Sequence, residues 1–150
     1  FYTNTLGLSD IPITSFPRPA ETKETGYSGK IRFATDGQIQ MHLAEKNLDV
    51  AFKHSEVINP VERGHIAFRT DDITAFMAML DGKGILYSNY GTAFAKEWHQ
   101  VFFHDPEGNI VEVHQEVTSE QTIHDPVTQE IKDGNVITDR GVWSGMFGGS

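Results

Sequence analysis

Two short segments of this chain carry side chains able to hold a metal ion and move a proton. One is Gly64-His65-Ile66-Ala67-Phe68. The other, with its carboxylate 47 positions after His65, runs Asp105-Pro106-Glu107-Gly108-Asn109-Ile110-Val111-Glu112-Val113-His114. A third candidate, His42, lies in Gln40-Met41-His42-Leu43-Ala44. Two imidazoles and a carboxylate are ligands a divalent metal uses when positions must stay open for substrate. His114, two residues beyond Glu112, can support the site from behind or act as a general base. A lone strand histidine is more often hydrogen-bonded or solvated, and seven histidines in 150 residues make coincidences easy. Glu112 is different. Between Val111 and Val113 it sits in a buried-looking strand, where an unpaired carboxylate is costly and needs a partner or a metal.

The elements that must position these groups follow from periodicity. Gly64–Thr70 and Asn109–Gln115 read as strands, as does Gln40–Ala44 after an Asp36-Gly37 hairpin turn. Strand alternation puts His65 with Ala67 and Arg69, and Glu112 with Ile110 and His114. The apolar alternates, Ile66 with Phe68 and Val111 with Val113, are expected to pack under a helix. The polar ones then line the opposite, concave face of a sheet. Ile73, Phe76, Met77 and Leu80 form the stripe of that helix, with Asp71 as its N-cap and Gly82 and Gly84 at its end. Ile85–Tyr90 and Glu97–His104 complete the strands of this half.

Upstream, residues 1–8 read as the last turns of a helix stopped by Gly7. Residues 9–28 read as an extended segment and loop, Ile31–Ala34 as a strand, and residues 46–63 as a connector. A helix seldom opens on two aromatics without a cap, so a strand and the helix start are expected upstream of Phe1. Restoring them gives two successive βαβββ units, an α+β fold whose curved mixed sheet carries a concave metal site. The domain is expected over 1–115. Residues 116–150 form a C-terminal extension with a possible hairpin at Gln129–Thr138 and a glycine-rich end.

Composition narrows the function classes. The length suits one domain. The balance of 12 basic to 21 acidic residues, a net charge of −9, argues against nucleic acid as a partner and against an anionic membrane surface. With no cysteine there is no thiolate metal site and no cysteine nucleophile. No apolar run reaches the length of a membrane span, and a cytoplasmic location is the default expectation. No phosphate-binding glycine loop, nucleophile elbow or His-Glu-x-x-His helix competes.

Phe1-Tyr2 with Leu6-Gly7-Leu8, then Gly64–Phe68, then Asp105–Asn109 leading to Glu112, is an ordered set. In it the chain resembles the vicinal oxygen chelate superfamily, which includes glyoxalases, bleomycin resistance proteins and extradiol dioxygenases. The resemblance spans residues 1–115. It implies metal ligands on the first and last strands of each unit, which by position are His42, His65 and Glu112. A further ligand would come from the strand upstream of Phe1. It also implies a homodimer and a small-molecule substrate.

The chemistry so implied is that of a lyase or isomerase of glyoxalase or epimerase type. A divalent ion (Zn, Ni, Co, Mn or Fe(II)) would act on two neighbouring substrate oxygens, while Glu112 or His114 moves a proton. The alternatives are ring cleavage by an Fe(II) dioxygenase, thiol transfer, or drug binding without catalysis. Arg69 either binds a substrate carboxylate or pairs with one of the acidic residues. His99 and His104, beside Gln100 and Phe102, are surface or pocket wall. Trp98, Phe102 and Tyr87 are read as structural or pocket-lining, and His54 and His124 as without a role.

Overall fold

A computed structural model describes residues 1–12, 27 and 29–117. His124, the Gln129–Thr138 hairpin and nearly all of the 116–150 extension lie outside the described residues. The elements are α1 (Tyr2–Leu6), β1 (Ser9–Ile11), β2 (Ile31–Thr35), β3 (Gln40–Ala44), α2 (Val50–Lys53), β4 (Ile66–Arg69), α3 (Ile73–Gly82), β5 (Tyr87–Gly91), β6 (Trp98–His104) and β7 (Ile110–Glu116). They form a three-stranded sheet, β1-β2-β3, and a four-stranded sheet, β4-β7-β6-β5.

The second half is a complete βαβββ unit. β4 lies parallel to β7, and β6 is antiparallel to both β7 and β5. The parallel pairing is possible because α3 carries the chain across. The first half repeats the order helix, strand, strand, strand, with antiparallel pairing throughout. No strand preceding α1 occurs among the described residues. The fold is therefore α+β, as expected, with one complete βαβββ unit and, before it, an αβββ segment, their strands held in two sheets among the described residues.

Local signals account for the boundaries. Gly7 ends α1 at φ 73°, a left-handed conformation that costs glycine little. Asp105 organises the β6–β7 turn. Its carboxylate accepts from the backbone N–H of Glu107 and Asn109 and from the Asn109 amide, and these bonds, Asn109 foremost, lower its pKa. The cap of α3 is Asp72, one residue later than expected. The helix starts at Ile73, and only Asp72 stands three residues before the N–H it accepts from, that of Ala75, at 2.8 Å.

The α3 stripe packs as the periodicity requires. Ile73, Met77 and Leu80 are buried against Val101 of β6 and Val113 of β7, with Phe76 and Phe103 at the margin. The expectation for β4 fails: Ile66 and Phe68 remain 63% and 55% exposed. α3 is centred over the inner strands, and β4 is an edge beyond its reach.

The connector is more than a link. Val50 and Ile58 are buried with Tyr27, Tyr90, Phe102 and Ile110 in a cluster that fills one end of the other sheet face. Ser88 Oγ accepts from the backbone N–H of Val57 and Ile58, and the Tyr90 hydroxyl donates to the Ile58 carbonyl. This plug leaves the other end of that face to polar side chains. Among the described residues, no helix is long and apolar enough to cross a membrane.

Candidate active site

Glu112 stands at the centre of the polar end. It pairs with Ala67 of β4 on one side and Phe102 of β6 on the other, and is 5% exposed. His65 precedes β4 by one residue and shares the face of Ala67. Its Nε2 lies 3.1 Å from Glu112 Oε2. His114, the next residue of β7 on that face, brings Nδ1 to 2.9 Å from Glu112 Oε1. Gln100, opposite His114 on β6, is diagonal to Glu112 and long enough to reach it. Its Nε2 donates to Oε1 at 3.0 Å.

The three donors decide the charge of Glu112. Burial, the largest single influence, pushes its carboxyl up. The bonds from His114, His65 and Gln100 together outweigh it and bring the pKa down to about 2. The side chain is a carboxylate at neutral pH, and both oxygens are engaged. The sequence expectation that it needs a partner is met by three.

Aromatic rings frame this cluster. The His65 ring meets the edge of buried Phe102 at 5.4 Å. Trp98 stacks on His114 at 4.5 Å and 8°, and on His42 at 5.8 Å and 26°. His42 thus reaches the cluster across an indole. It also takes the edge of Phe33. Burial between these rings lowers its pKa; the charge of Glu112 raises it, and those of His114 and His65 lower it. His42 therefore lies at the rim of the same field, although its residue surface stays largely exposed.

The structure brings together His65, Glu112 and His114, and keeps His42 one ring away. Among the described residues, no three His, Asp or Glu side chains converge closely enough to hold an ion. His65 Nε2 and Glu112 Oε2 are the right donors in kind and lie side by side, but they are two. Gln100 is the residue that sequence reading left unassigned. Its signal was its place on the alternation of β6, in register with His114. Among the described residues its buried Oε1 has no hydrogen-bond partner, an omission that costs about 1–3 kcal/mol in a folded protein.

The other candidates separate cleanly. His99 lies on the α3 side of β6, buried, with Nε2 2.7 Å from Asn89 Oδ1. His54 packs against Tyr90 and Phe94. Arg69 pairs with Glu116 at 3.6 Å, both side chains being more than half exposed, so its acidic partner is on the neighbouring strand.

A complete β4-α3-β5-β6-β7 unit, preceded by a helix and three strands, agrees with the strand order that the sequence resemblance implies, and the class that the architecture itself defines is an α+β fold. Solved structures to which it is similar include a glyoxalase family protein from Bacillus anthracis, 26% identical, covering 77% of this chain and 79% of that one, with a TM-score of 0.34. A member of the glyoxalase/bleomycin resistance protein/dioxygenase superfamily from Sphaerobacter thermophilus is 20% identical over 77% and 83%, with a TM-score of 0.30. A lactoylglutathione lyase from Agrobacterium tumefaciens is 20% identical over 77% and 80%, with a TM-score of 0.27. At such scores these likenesses carry no argument. No family model matches the sequence, and no curated protein matches it.

Proposed function

We propose that this protein is a lyase or isomerase of glyoxalase or epimerase type, acting on a small substrate with oxygens on neighbouring carbons. The observation that supports it is the buried Glu112 carboxylate, gripped by two imidazoles on one sheet face. A carboxylate held near pKa 2 is a weak base. Its role in this reading is to orient. With a proton on Nδ1 bonded to Glu112, His114 keeps its lone pair on Nε2, the arrangement of a general base positioned by an acid. His114 Nε2 then removes the proton from the hydroxyl-bearing carbon next to the carbonyl and returns it to the former carbonyl carbon, while the hydroxyl proton passes to the other oxygen. His65, fixed by the same carboxylate, faces the negative charge that builds on oxygen.

His65 and Glu112 are the first two donors for a divalent ion, and His42, which feels their charges from the rim, is the third in this reading. When bound, such an ion would supply Lewis-acid stabilisation of vicinal oxygens. A homodimer in the cytoplasm completes the proposal.

The test is solvent exchange. Hydroxyacetone in deuterated buffer should acquire deuterium at its hydroxymethyl carbon in the presence of the protein, as followed by proton NMR. The purified protein should also hold about one divalent ion per chain. Metal content unchanged in the His65→Ala, Glu112→Ala double variant would remove the metal assignment. Oxygen uptake with a catechol and no exchange would replace the reaction by ring cleavage.

A further inference from the structure

Glu112 holds the buried His114 ring at one atom, through the 2.9 Å contact at Nδ1. A single hydrogen bond fixes a point and leaves an imidazole able to swing about it. The chemistry of a base at His114 depends on Nε2, across the ring from that point. Trp98 removes the swing. Its indole lies 4.5 Å from the imidazole, with 8° between the two planes. Register puts it there. Trp98 is paired with Glu116, two residues beyond His114 on β7, so the large indole reaches the imidazole diagonally on the shared face. The indole is itself steadied. The Trp98 backbone N–H donates to the Ala95 carbonyl at 3.2 Å, and the Val117 N–H to the Glu97 carbonyl at 2.7 Å. The His42 ring stacks on the same indole at 5.8 Å.

We infer that Trp98 is a positioning residue of this site: its indole sets the plane of the His114 ring and, with the Glu112 bond, aims Nε2. The inference rests on the proposal that His114 is the general base, and it adds the residue that orients that base. Glu112 decides which nitrogen carries the proton, and Trp98 decides where the other one points. The role needs a flat face against the imidazole. Phe can therefore fill it, whereas Leu is apolar but has no face. A base whose lone pair is turned away loses rate and not affinity, because the interaction it fails to make belongs to the transition state.

The experiment compares Trp98→Leu and Trp98→Phe with the wild type in two measurements. In the first, deuterium exchange of hydroxyacetone is followed over a range of concentrations. Trp98→Leu should lower kcat by about 10- to 100-fold with KM within roughly twofold, and Trp98→Phe should recover most of that loss. In the second, NMR with isotope-labelled histidine reads the His114 ring without substrate. The Nδ1–H tautomer should persist in all three proteins, because Glu112 sets it, while the order parameter of the Cε1–H bond should drop in Trp98→Leu alone. No drop in Trp98→Leu, an equal drop in both variants, or equal exchange rates in the two would each overturn the assignment. Loss of the tautomer in Trp98→Leu would overturn it as well, since the indole would then be holding the whole cluster together. A folded Trp98→Phe exchanging as slowly as His114→Ala would overturn it without reference to Trp98→Leu. If the wild type does not exchange hydroxyacetone, the isomerase reading falls and the ring measurement decides Trp98 by itself.

Discussion

The closing strands of the two sheets, β3 and β7, each carry a metal-capable side chain toward the site, and the fold treats them in opposite ways. Glu112 of β7 is buried and held by three donors, and its neighbours Val111 and Val113 are buried behind it. His42 of β3 is largely exposed, with its Nε2 3.5 Å from Gln40 Oε1 and its ring against Phe33 and Trp98. The difference lies in what covers each sheet. α3 has ten residues and buries three of them on β6 and β7. α1 has five and buries none. Among the described residues β7 also lies between two strands, whereas β3 is an edge. A charged group can be fixed only where its strand is fixed, and in this chain that is the second unit.

The largest test of this contrast is catalytic. Glu112→Gln should lower hydroxyacetone exchange by about 10²- to 10⁴-fold, because the general base His114 then loses the carboxylate that orients it. His42→Gln should lower it by roughly tenfold or less, because its loss leaves the Glu112 grip intact. Equal losses in the two variants would mean that the sheets contribute alike. The next largest is stability. Leu80→Ala removes a fully buried side chain under α3 and should cost about 2–5 kcal/mol in urea unfolding. Leu43→Ala, on half-buried β3, should cost under about 1.5 kcal/mol. A cost at Leu43 matching that at Leu80 would show that the first sheet is covered in solution.

This asymmetry also explains what could be read from the sequence. The second unit was legible almost to the residue: the stripe of α3, the Asp105–Gly108 turn and the alternation around Glu112 each obey a local rule. That Glu112 needs a partner or a metal was legible too, from its place between two valines; that His65, His114 and Gln100 supply the partners was not. Three things were not. Whether α3 reaches β4 depends on where the helix sits laterally, which periodicity does not encode. The burial of Val50 and Ile58 depends on the connector folding back over the sheet, a tertiary event. The role of Gln100 depends on register between β6 and β7, which sets a neutral amide diagonal to Glu112. In the resemblance His42 and Glu112 each stand on the last strand of a unit. Alternation gives a side chain's face and says nothing of whether its sheet is covered.

Acid titration probes the same grip at the scale of one group. Glu112 titrates near 2 in the folded protein, below its ordinary value near 4.5. A depressed carboxyl contributes stability that is fully present above the ordinary value and is lost as pH falls through the folded one. Folding free energy should therefore drop by roughly 3 kcal/mol between about pH 5 and pH 2 on account of this residue. Glu112→Gln should flatten that part of the profile, as measured by urea midpoints at successive pH values. An unchanged slope in the variant would place the acid sensitivity elsewhere.

The smallest expected effect tests the contact between the sheets. Trp98 leaves β6 to stack on His114 of its own sheet and on His42 of the other, so the indole couples the fixed unit to the looser one. Aromatic pairs of this kind contribute about 0.5–1.5 kcal/mol beyond their buried area. A double-mutant cycle of Trp98→Leu with His42→Leu should return a coupling of about 1 kcal/mol or less. The cycle of Trp98→Leu with His114→Leu should return more, because those rings are closer and nearly parallel and His114 is itself held by Glu112. Reversal of that order would mean that His42 is anchored through contacts stronger than its stack, and the first sheet would then share the rigidity assigned here to the second.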